Sequence, residues 1–316
     1  MPQSGGHPID ILFCDEQVED SWQAAFDGLK APVRLIPWPN WASAPMAEYA
    51  LVWKPPAGQL AQYRNLKLIF SLGAGVDHLK TDVKFPKHVP VVRMMDEQLV
   101  KGMVEYVLLC VLMVHRKFPE YMKNQKNQAW MQIPQMRTED RRIGILGMGS
   151  LGSSCARHMA MHGFNVRGWS RTEKSIQGVV CYAGSAQLHP FLSETEMLIN
   201  LLPLTDETVG ILNAELFRCL PDGASIVNAG RGDHVDEVAL IEALDAGKLR
   251  FAFLDTFSIE PLPRSHPFWL HEKIFVTPHA ASITPPASGA AYVWQQLSDN
   301  RNGNPPANIV DWARGY

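Results

Sequence analysis

Residues 143–152 read Ile143-Gly144-Ile145-Leu146-Gly147-Met148-Gly149-Ser150-Leu151-Gly152. A β-rich apolar run leads into the glycines, and a run with helical spacing of its apolar residues follows them. In such a setting Gly147 permits a tight turn, Gly149 lets backbone approach a pyrophosphate, and Gly152 lets the helix pack on the strand. The N–H groups at the helix start would bind the phosphates. A plain turn is the alternative, but the strand before and the helix after favour a dinucleotide-binding loop made by Gly147, Met148, Gly149, Ser150, Leu151 and Gly152.

Strand-like and helix-like runs alternate on both sides of this loop. We predict strands at 9–13, 33–36, 51–53, 68–71, 143–146, 166–169, 197–201, 225–228, 251–254 and 274–276. We predict helices at 22–29, from 97 to a stop near Pro119, from 150 to about 162, and at 235–246, with a polar surface segment at 124–140. This alternation predicts an α/β fold, and 316 residues suffice for two doubly wound parallel-sheet domains.

The end of the strand after the glycine loop indicates which dinucleotide is bound. An NAD site usually carries a carboxylate there for the ribose 2′-hydroxyl, whereas this chain has Trp169-Ser170-Arg171-Thr172. An arginine and hydroxyls suit a 2′-phosphate, so Ser170, Arg171 and Thr172 predict NADP, with NAD still possible. The alternative is a solvated loop that carries an arginine by chance.

Three residues further along the chain suit the reduction of a 2-keto acid. Arg231, Glu260 and His279 each follow a predicted strand, and ligands of parallel sheets bind beyond the carboxyl ends of the strands. An arginine could hold the carboxylate, a histidine could protonate the carbonyl oxygen, and a carboxylate could stabilise the charged imidazole. Taken singly, each could equally be a surface or packing residue.

A second glycine turn, Ser71-Leu72-Gly73-Ala74-Gly75-Val76-Asp77, follows a strand of the first half. The N–H groups of Gly73, Ala74 and Gly75 could form an anion nest for the substrate carboxylate, although a plain turn is as good an explanation. Trp53 ends another strand of that half and could wall the pocket, as could Trp130. Both tryptophans could instead be simple packing or surface residues.

Composition limits the remaining classes. The net charge of -3 and the absence of long charged blocks argue against a nucleic-acid surface, and the longest strongly apolar run, 107–114, is too short for a membrane span. The five cysteines are widely spaced and form no CxxC pair, so we expect neither a metal site nor disulfides. Unpaired cysteines and a start without signal-peptide features make the cytoplasm the expected location.

Together the motifs resemble the D-isomer-specific 2-hydroxyacid dehydrogenase family, and within it most closely the glyoxylate/hydroxypyruvate reductase A group. The resemblance spans nearly the whole chain and rests on 72–77, 145–152, 169–171, 200–205, 228–232, 254–257, 260–263 and 277–279. Formate dehydrogenases of this superfamily carry glutamine where Glu260 stands, which disfavours that branch. The usual Asp-Val-Phe of the family is Asp255-Thr256-Phe257 here.

The resemblance implies a flavodoxin-like substrate domain of residues 1–100 and 281–316, with a Rossmann cofactor domain of residues 101–280 inserted and the active site in the cleft. It implies homodimers that pair through the cofactor domain. It assigns the acid/base to His279, its orientation to Glu260 and substrate binding to Arg231. It also places Leu202, Pro203 and Ala229 beside the cofactor and Asp255 beside the nicotinamide carboxamide.

The sequence therefore predicts an NADPH-preferring reductase that converts glyoxylate to glycolate and hydroxypyruvate to D-glycerate. Two alternatives stay open. One is a reductase of bulkier 2-keto acids such as phenylpyruvate, because pocket width is not readable from the sequence. The other is a dinucleotide-sensing co-repressor, because some relatives of that kind retain the same three residues.

Overall fold

The computed structural model describes residues 7–15 and 19–315, which form two compact units. One unit comprises Met1–Leu99 and Ile283–Tyr316, and the other comprises Val100–Ser282.

Twelve strands and nine helices make up the regular α/β structure of the described residues. The strands are β1 Ile9–Cys14, β2 Val33–Pro37, β3 Tyr49–Val52, β4 Leu68–Ser71, β5 Val91–Arg93, β6 Arg142–Leu146, β7 Asn165–Ser170, β8 Val179–Ala183, β9 Met197–Asn200, β10 Ala224–Asn228, β11 Leu249–Leu254 and β12 Ile274–Val276. The helices are α1 Glu19–Gly28, α2 Asp77–Lys80, α3 Glu97–His115, α4 Phe118–Lys126, α5 Ser150–Met161, α6 Leu188–Ser193, α7 Ala214–Cys219, α8 Glu237–Asp245 and α9 Pro286–Arg301.

The first unit is built on a five-stranded parallel sheet in the order β2-β1-β3-β4-β5. That order is the flavodoxin-like one. Strands β3 and β4 are buried along their whole length, as expected of parallel strands covered on both faces. Helices α1 and α9 cover one side, where the Trp22 ring lies directly against Gly289.

The second unit contains a seven-stranded parallel sheet in the order β12-β11-β10-β9-β6-β7-β8. Numbered from its own first strand, this is the Rossmann order 3-2-1-4-5-6 with one strand added at the β12 edge. The order reverses at β6, the strand that leads into the first glycine loop, and a ligand is expected at this switch point. The prediction of two doubly wound parallel sheets is confirmed.

Helix α3 is long and apolar enough to cross a membrane by length and composition alone. Its buried side, however, packs into the core of the second unit through Val104, Val107, Val111 and Val114. Core helices of globular proteins pass the same test of length and composition, and this packing accounts for the apolar residues on the buried side of α3.

The structure corrects several predicted elements. Helix α3 ends at His115, Lys117 adopts a left-handed conformation with φ of 60°, and Pro119 then lies in the first turn of α4. Pro119 therefore helps to begin a helix, where its missing N–H costs nothing, and our prediction that it ends one was wrong. Strands β5 and β8 were not predicted, and β8 is a partly exposed strand at the edge of its sheet.

Candidate active site

The three predicted catalytic residues follow three neighbouring strands of the second unit. Arg231 comes after β10, Glu260 after β11 and His279 after β12, and these strands lie side by side at one edge of the sheet. All three strands are parallel, so their carboxyl ends meet at the same side of the sheet. The three residues span positions 231 to 279 of the sequence, and they reach one region because each follows a strand that runs in the same direction.

His279 and Glu260 form a direct hydrogen-bonded pair. The distance from His279 Nδ1 to Glu260 Oε2 is 3.0 Å, and Glu260 Oε1 accepts a hydrogen bond of 3.1 Å from the backbone N–H of Phe257. The two side chains are 34% and 22% exposed. The carboxylate is therefore held by its own loop in a position to orient the imidazole, while the imidazole retains access to solvent.

The backbone of His279 has an uncommon conformation that Asp255 stabilises. His279 has a φ of 52°, in the left-handed region, and its N–H donates to the carbonyl of Asp255 at 2.8 Å. The buried Asp255 carboxylate accepts from the N–H groups of Ala280 and Ala281 at 2.8 and 3.0 Å. Thr277 Oγ1 donates to the same carboxylate at 2.6 Å. Asp255 thus fixes the loop that carries His279.

Arg231 is held by its backbone between two glycines that allow close packing. A Cβ atom at Gly232 would lie 1.9 Å from the carbonyl carbon of Phe257, so only glycine lets this turn approach the loop that carries Glu260. Asn228 Nδ2 donates to the carbonyl of Arg231 at 2.9 Å. The guanidinium Nη1 donates to the carbonyl of Gly230 at 2.7 Å. The glycine after Arg231 therefore lets the turn that carries the arginine pack directly against the loop that carries Glu260.

The glycine loop after β6 has the geometry of a phosphate-binding turn. Gly147 has a φ of 96°, which favours glycine, and a Cβ atom at Gly152 would lie 1.9 Å from the Gly147 carbonyl oxygen. Apart from Gly149 and its two chain neighbours, the described residues place no heavy atom within 4 Å of the Cβ position of Gly149. Helix α5 begins at Ser150 and is 12 residues long, so its first N–H groups are directed at this open backbone. Met148 is buried, and Ser150 and Leu151 lie in the first turn of the helix.

The strand β7 ends with side chains that lie near the surface. Arg171 Nη1 lies 3.3 Å from Glu207 Oε2, and these side chains are 44% and 71% exposed. Ser170 Oγ donates to the carbonyl of Thr172 at 2.8 Å. The residues predicted to bind the 2′-phosphate thus comprise an exposed arginine and two neighbouring hydroxyl-bearing residues. The arginine pairs with the Glu207 carboxylate, which lies in the loop after β9.

The predicted residues Leu202, Pro203 and Ala229 lie just beyond β9 and β10. Leu202 N–H donates to Asn200 Oδ1 at 3.3 Å, and Ala229 N–H donates to the Asn200 carbonyl at 3.3 Å. Because β6 and β10 both flank β9, these residues lie near the glycine loop at the carboxyl ends of the central strands.

The first unit holds the second glycine turn, between β4 and α2. The Trp53 ring lies directly over Gly73, where a Cβ atom would be 2.7 Å from Trp53 Cζ3. The His78 ring also packs on the Trp53 ring, with 4.3 Å between the two ring centroids. Ser71 Oγ donates to the Gly75 carbonyl at 3.2 Å and so closes the turn. Trp53 and the Gly73-Ala74-Gly75 turn are therefore brought together within this unit.

Neither His234 nor Glu207 was predicted from the sequence. His234 lies three residues after Arg231, and its ring nitrogen accepts the Arg231 N–H; that spacing is one at which a side chain commonly caps a turn. Glu207 lies 36 residues from Arg171, and no local pattern indicates that the two would meet.

Comparison with known proteins identifies the family. The profile of the D-isomer specific 2-hydroxyacid dehydrogenase, NAD binding domain, matches residues 108–281. The chain belongs to the D-isomer specific 2-hydroxyacid dehydrogenase family. This confirms the resemblance drawn from the motifs, and it makes this family member an oxidoreductase with a dinucleotide-binding domain.

Relatives match the 2-hydroxyacid dehydrogenase chain over nearly its full length. Glyoxylate/hydroxypyruvate reductase A of Salmonella enteritidis PT4 is 41% identical over 314 residues, which covers 98% of this chain and all of the relative. A D-isomer specific 2-hydroxyacid dehydrogenase from Xanthobacter autotrophicus Py2, solved with NADPH and MES, has a TM-score of 0.92 and 39% identity over 97% of this chain and 99% of that one. An NADPH-dependent glyoxylate/hydroxypyruvate reductase from Sinorhizobium meliloti, solved with NADP and sulfate, has a TM-score of 0.91 and 35% identity over 97% of this chain and all of that one.

Proposed function

We propose that the protein is an NADPH-preferring reductase of small 2-keto acids, which converts glyoxylate to glycolate and hydroxypyruvate to D-glycerate. The observation that carries this proposal is the 3.0 Å pair of His279 and Glu260 beside Arg231, on the unit that also holds the glycine loop. Relatives of at least 35% identity over nearly the whole chain are named as reductases of these two acids.

The glycine loop fits a dinucleotide. The open space over Gly149 and the start of α5 leave room and N–H groups for a pyrophosphate, and the cofactor site comprises Gly147, Met148, Gly149, Ser150, Leu151, Gly152, Leu202, Pro203 and Ala229. When bound, a reduced nicotinamide supplies a hydride to the carbonyl carbon of the keto acid. Asp255 follows β11, and its carboxylate holds the loop that carries His279. We keep Asp255 among the residues proposed to lie near the nicotinamide.

His279 acts as the general acid. A charged imidazole donates from both nitrogens, so Nδ1–H binds Glu260 while Nε2–H gives its proton to the carbonyl oxygen that becomes the hydroxyl. Glu260 stabilises the charged imidazole and keeps the ring oriented. The carboxylate of Glu260 does not itself need to take up the proton.

Arg231 binds the carboxylate of the keto acid. Its planar guanidinium offers two parallel N–H donors to a carboxylate and can also reach the adjacent keto oxygen. We also keep Gly73, Ala74, Gly75 and Trp53 of the first unit among the proposed substrate-binding residues, since the backbone N–H groups of a glycine turn suit a carboxylate. A small 2-keto acid is the substrate class that uses all of these donors.

Arg171 with Ser170 and Thr172 gives the preference for NADPH. The exposed guanidinium at the end of β7 replaces the carboxylate that an NAD-specific site carries, and it can form charge-assisted hydrogen bonds with a 2′-phosphate. The two structural relatives described above were solved with NADPH and NADP.

We also propose a homodimer that forms through the second unit. Large apolar side chains are exposed on and after α3 and α4, at Leu109, Leu112, Phe118, Met122, Trp130 and Met131. Exposed apolar side chains grouped in this way mark interaction surfaces. Light scattering on the purified protein would give twice the monomer mass of 35.3 kDa, and a monomer at micromolar concentration would contradict the proposal.

Replacement of the general acid tests the reaction. We expect His279→Ala to lower kcat by roughly two to four orders of magnitude, while NADPH still binds with nearly wild-type affinity in a fluorescence titration. The exposed His189 on α6 provides the matched control, and His189→Ala should leave turnover unchanged. Wild-type turnover in His279→Ala would refute the proposed reaction.

A further inference from the structure

A buried hydrogen-bond network lies directly behind Arg231. The side chains of Asn200, Asn228 and His234 each have 0% relative exposure. Asn200 Nδ2 donates to Asn228 Oδ1 at 2.9 Å and lies 2.8 Å from His234 Nδ1. Buried polar groups require partners, so each donor and acceptor in this network has a definite direction.

The partners of His234 determine its tautomer. Nδ1 lies 3.1 Å from the backbone N–H of Arg231 and 2.8 Å from Asn200 Nδ2, and both of these groups are donors. Nδ1 must therefore accept, which places the proton on Nε2. Nε2–H then donates to the carbonyl oxygen of Pro203 at 3.3 Å.

One imidazole thus joins two parts of the proposed site. Its Nδ1 side fixes Arg231, whose carbonyl also accepts from the His234 N–H at 3.2 Å. Its Nε2 side fixes the turn after β9, where Leu202 N–H is also held by Asn200 Oδ1. The ring lies so close to Gly230 that a Cβ atom there would be 2.9 Å from His234 Nδ1. Glycine before Arg231 is therefore needed to admit this imidazole as well as to shape the turn.

We propose that His234 is a positioning residue which holds the substrate-binding arginine through Nδ1 and the cofactor-side turn through Nε2. This inference rests on the proposed function, because it takes Arg231 as the carboxylate site and Leu202-Pro203 as part of the cofactor site. The Nδ1 side of the imidazole supports substrate binding and the Nε2 side supports cofactor binding. A substitution that keeps only one of these hydrogen-bonding groups should therefore weaken one ligand and not the other.

Two polar substitutions retain one half each. In His234→Asn the side-chain Oδ1 occupies the position of Nδ1 and still accepts from Arg231, but nothing donates to Pro203. In His234→Gln the side-chain Nε2 occupies the position of the imidazole Nε2 and still donates to Pro203, but the acceptor for the Arg231 N–H is lost. The probes are NADPH, titrated by fluorescence, and oxalate, a planar dicarboxylate that cannot be reduced, titrated onto the NADPH-loaded protein.

We expect His234→Asn to raise the Kd of NADPH by about three- to tenfold and to leave the oxalate Kd within about twofold of wild type, since one buried hydrogen bond is lost. We expect His234→Gln to do the reverse. His234→Leu should weaken both ligands. His189→Asn and His189→Gln, on the exposed face of α6, are the matched controls and should change neither affinity.

Equal weakening of both ligands in the Asn and Gln variants, together with lower melting temperatures, would show a general structural role and overturn the inference. Unchanged affinities in both variants would overturn it as well. Failure of the proposed function has a different signature, in which the wild-type protein binds NADPH but neither binds oxalate nor reduces either keto acid.

Discussion

Two arginines of the second unit follow parallel strands and are proposed to bind anions, yet they are held in opposite ways. Arg231 is fixed by its backbone N–H and carbonyl to the buried side chains of His234 and Asn228. Arg171 stands on the surface, where its guanidinium pairs with the more exposed Glu207. A group that must meet the reacting atoms needs a fixed position, because small misplacements cost rate. A group that only recognises a phosphate some distance from the reaction can remain on an exposed side chain.

The largest effect is expected at the fixed arginine. Arg231→Ala should lower kcat/KM for hydroxypyruvate by roughly two to three orders of magnitude, because a charged partner of the substrate carboxylate is lost. Arg231→Lys should recover little of this loss, since an ammonium cannot form the two-pronged contact. Steady-state kinetics at saturating NADPH would measure both variants. A lysine variant with wild-type kcat/KM would refute the requirement for a fixed, planar donor.

A smaller and selective effect is expected at the exposed arginine. Arg171→Ala should raise the Kd of NADPH on the order of ten- to a hundredfold through loss of charged hydrogen bonds, and leave the Kd of NADH unchanged. Arg157, an exposed arginine of α5, provides the control, and Arg157→Ala should affect neither cofactor. If Arg171→Ala weakens both cofactors equally, the 2′-phosphate does not bind at this position.

A still smaller effect of opposite sign is expected at Glu207. The carboxylate pairs with Arg171 at 3.3 Å and would compete with a 2′-phosphate for the same guanidinium. Glu207→Gln should tighten NADPH by about two- to fivefold, in keeping with the small energies of exposed ion pairs. The effect should fade at high salt, and the neighbouring exposed Asp206→Asn should show less of it. Weaker NADPH binding in Glu207→Gln would mean that the carboxylate supports the site.

The contrast between buried and exposed groups also extends to the thiols, where the expected effect is an absence of reaction. Burial raises the pKa of Cys110 and of Cys155 to about 12 each. The thiolate fraction of each cysteine is therefore very small at neutral pH, and it increases only as the pH approaches that value. Ellman's reagent at pH 8 should leave both unmodified in the native protein, and reaction should appear on denaturation. Peptide mapping that finds rapid native labelling of Cys155 would contradict the packing of α5.

The sequence allowed the strand ends to be predicted because buried parallel strands are continuous apolar runs, and β4, β10 and β12 lie within a residue of their predicted bounds. Arg231, Glu260 and His279 followed from those strand ends. Strand β8 has an apolar sequence that we did not assign to a strand, and as an edge strand it is only partly buried. Pro119 was misread because proline signals both the end of one helix and the start of another.

The supporting residues of the site were harder to predict, for a physical reason. The His234 ring has hydrogen-bond partners in Asn200, Pro203 and Arg231, and the first two belong to a strand and loop more than thirty residues away. Such partners are decided by how β9 and β10 pair, which local sequence patterns do not report. Catalytic residues have recognisable motifs, whereas residues that position them are defined only by the fold.

The most direct measurement is the initial rate of NADPH and of NADH oxidation by the wild-type protein, with glyoxylate, hydroxypyruvate and phenylpyruvate in parallel. We predict rapid oxidation of NADPH with glyoxylate or hydroxypyruvate, much slower oxidation of NADH, and little turnover of phenylpyruvate. Turnover with NADH alone would contradict the role of Arg171. An absence of turnover with every pair, despite NADPH binding, would contradict the reductase itself and favour a dinucleotide-sensing protein.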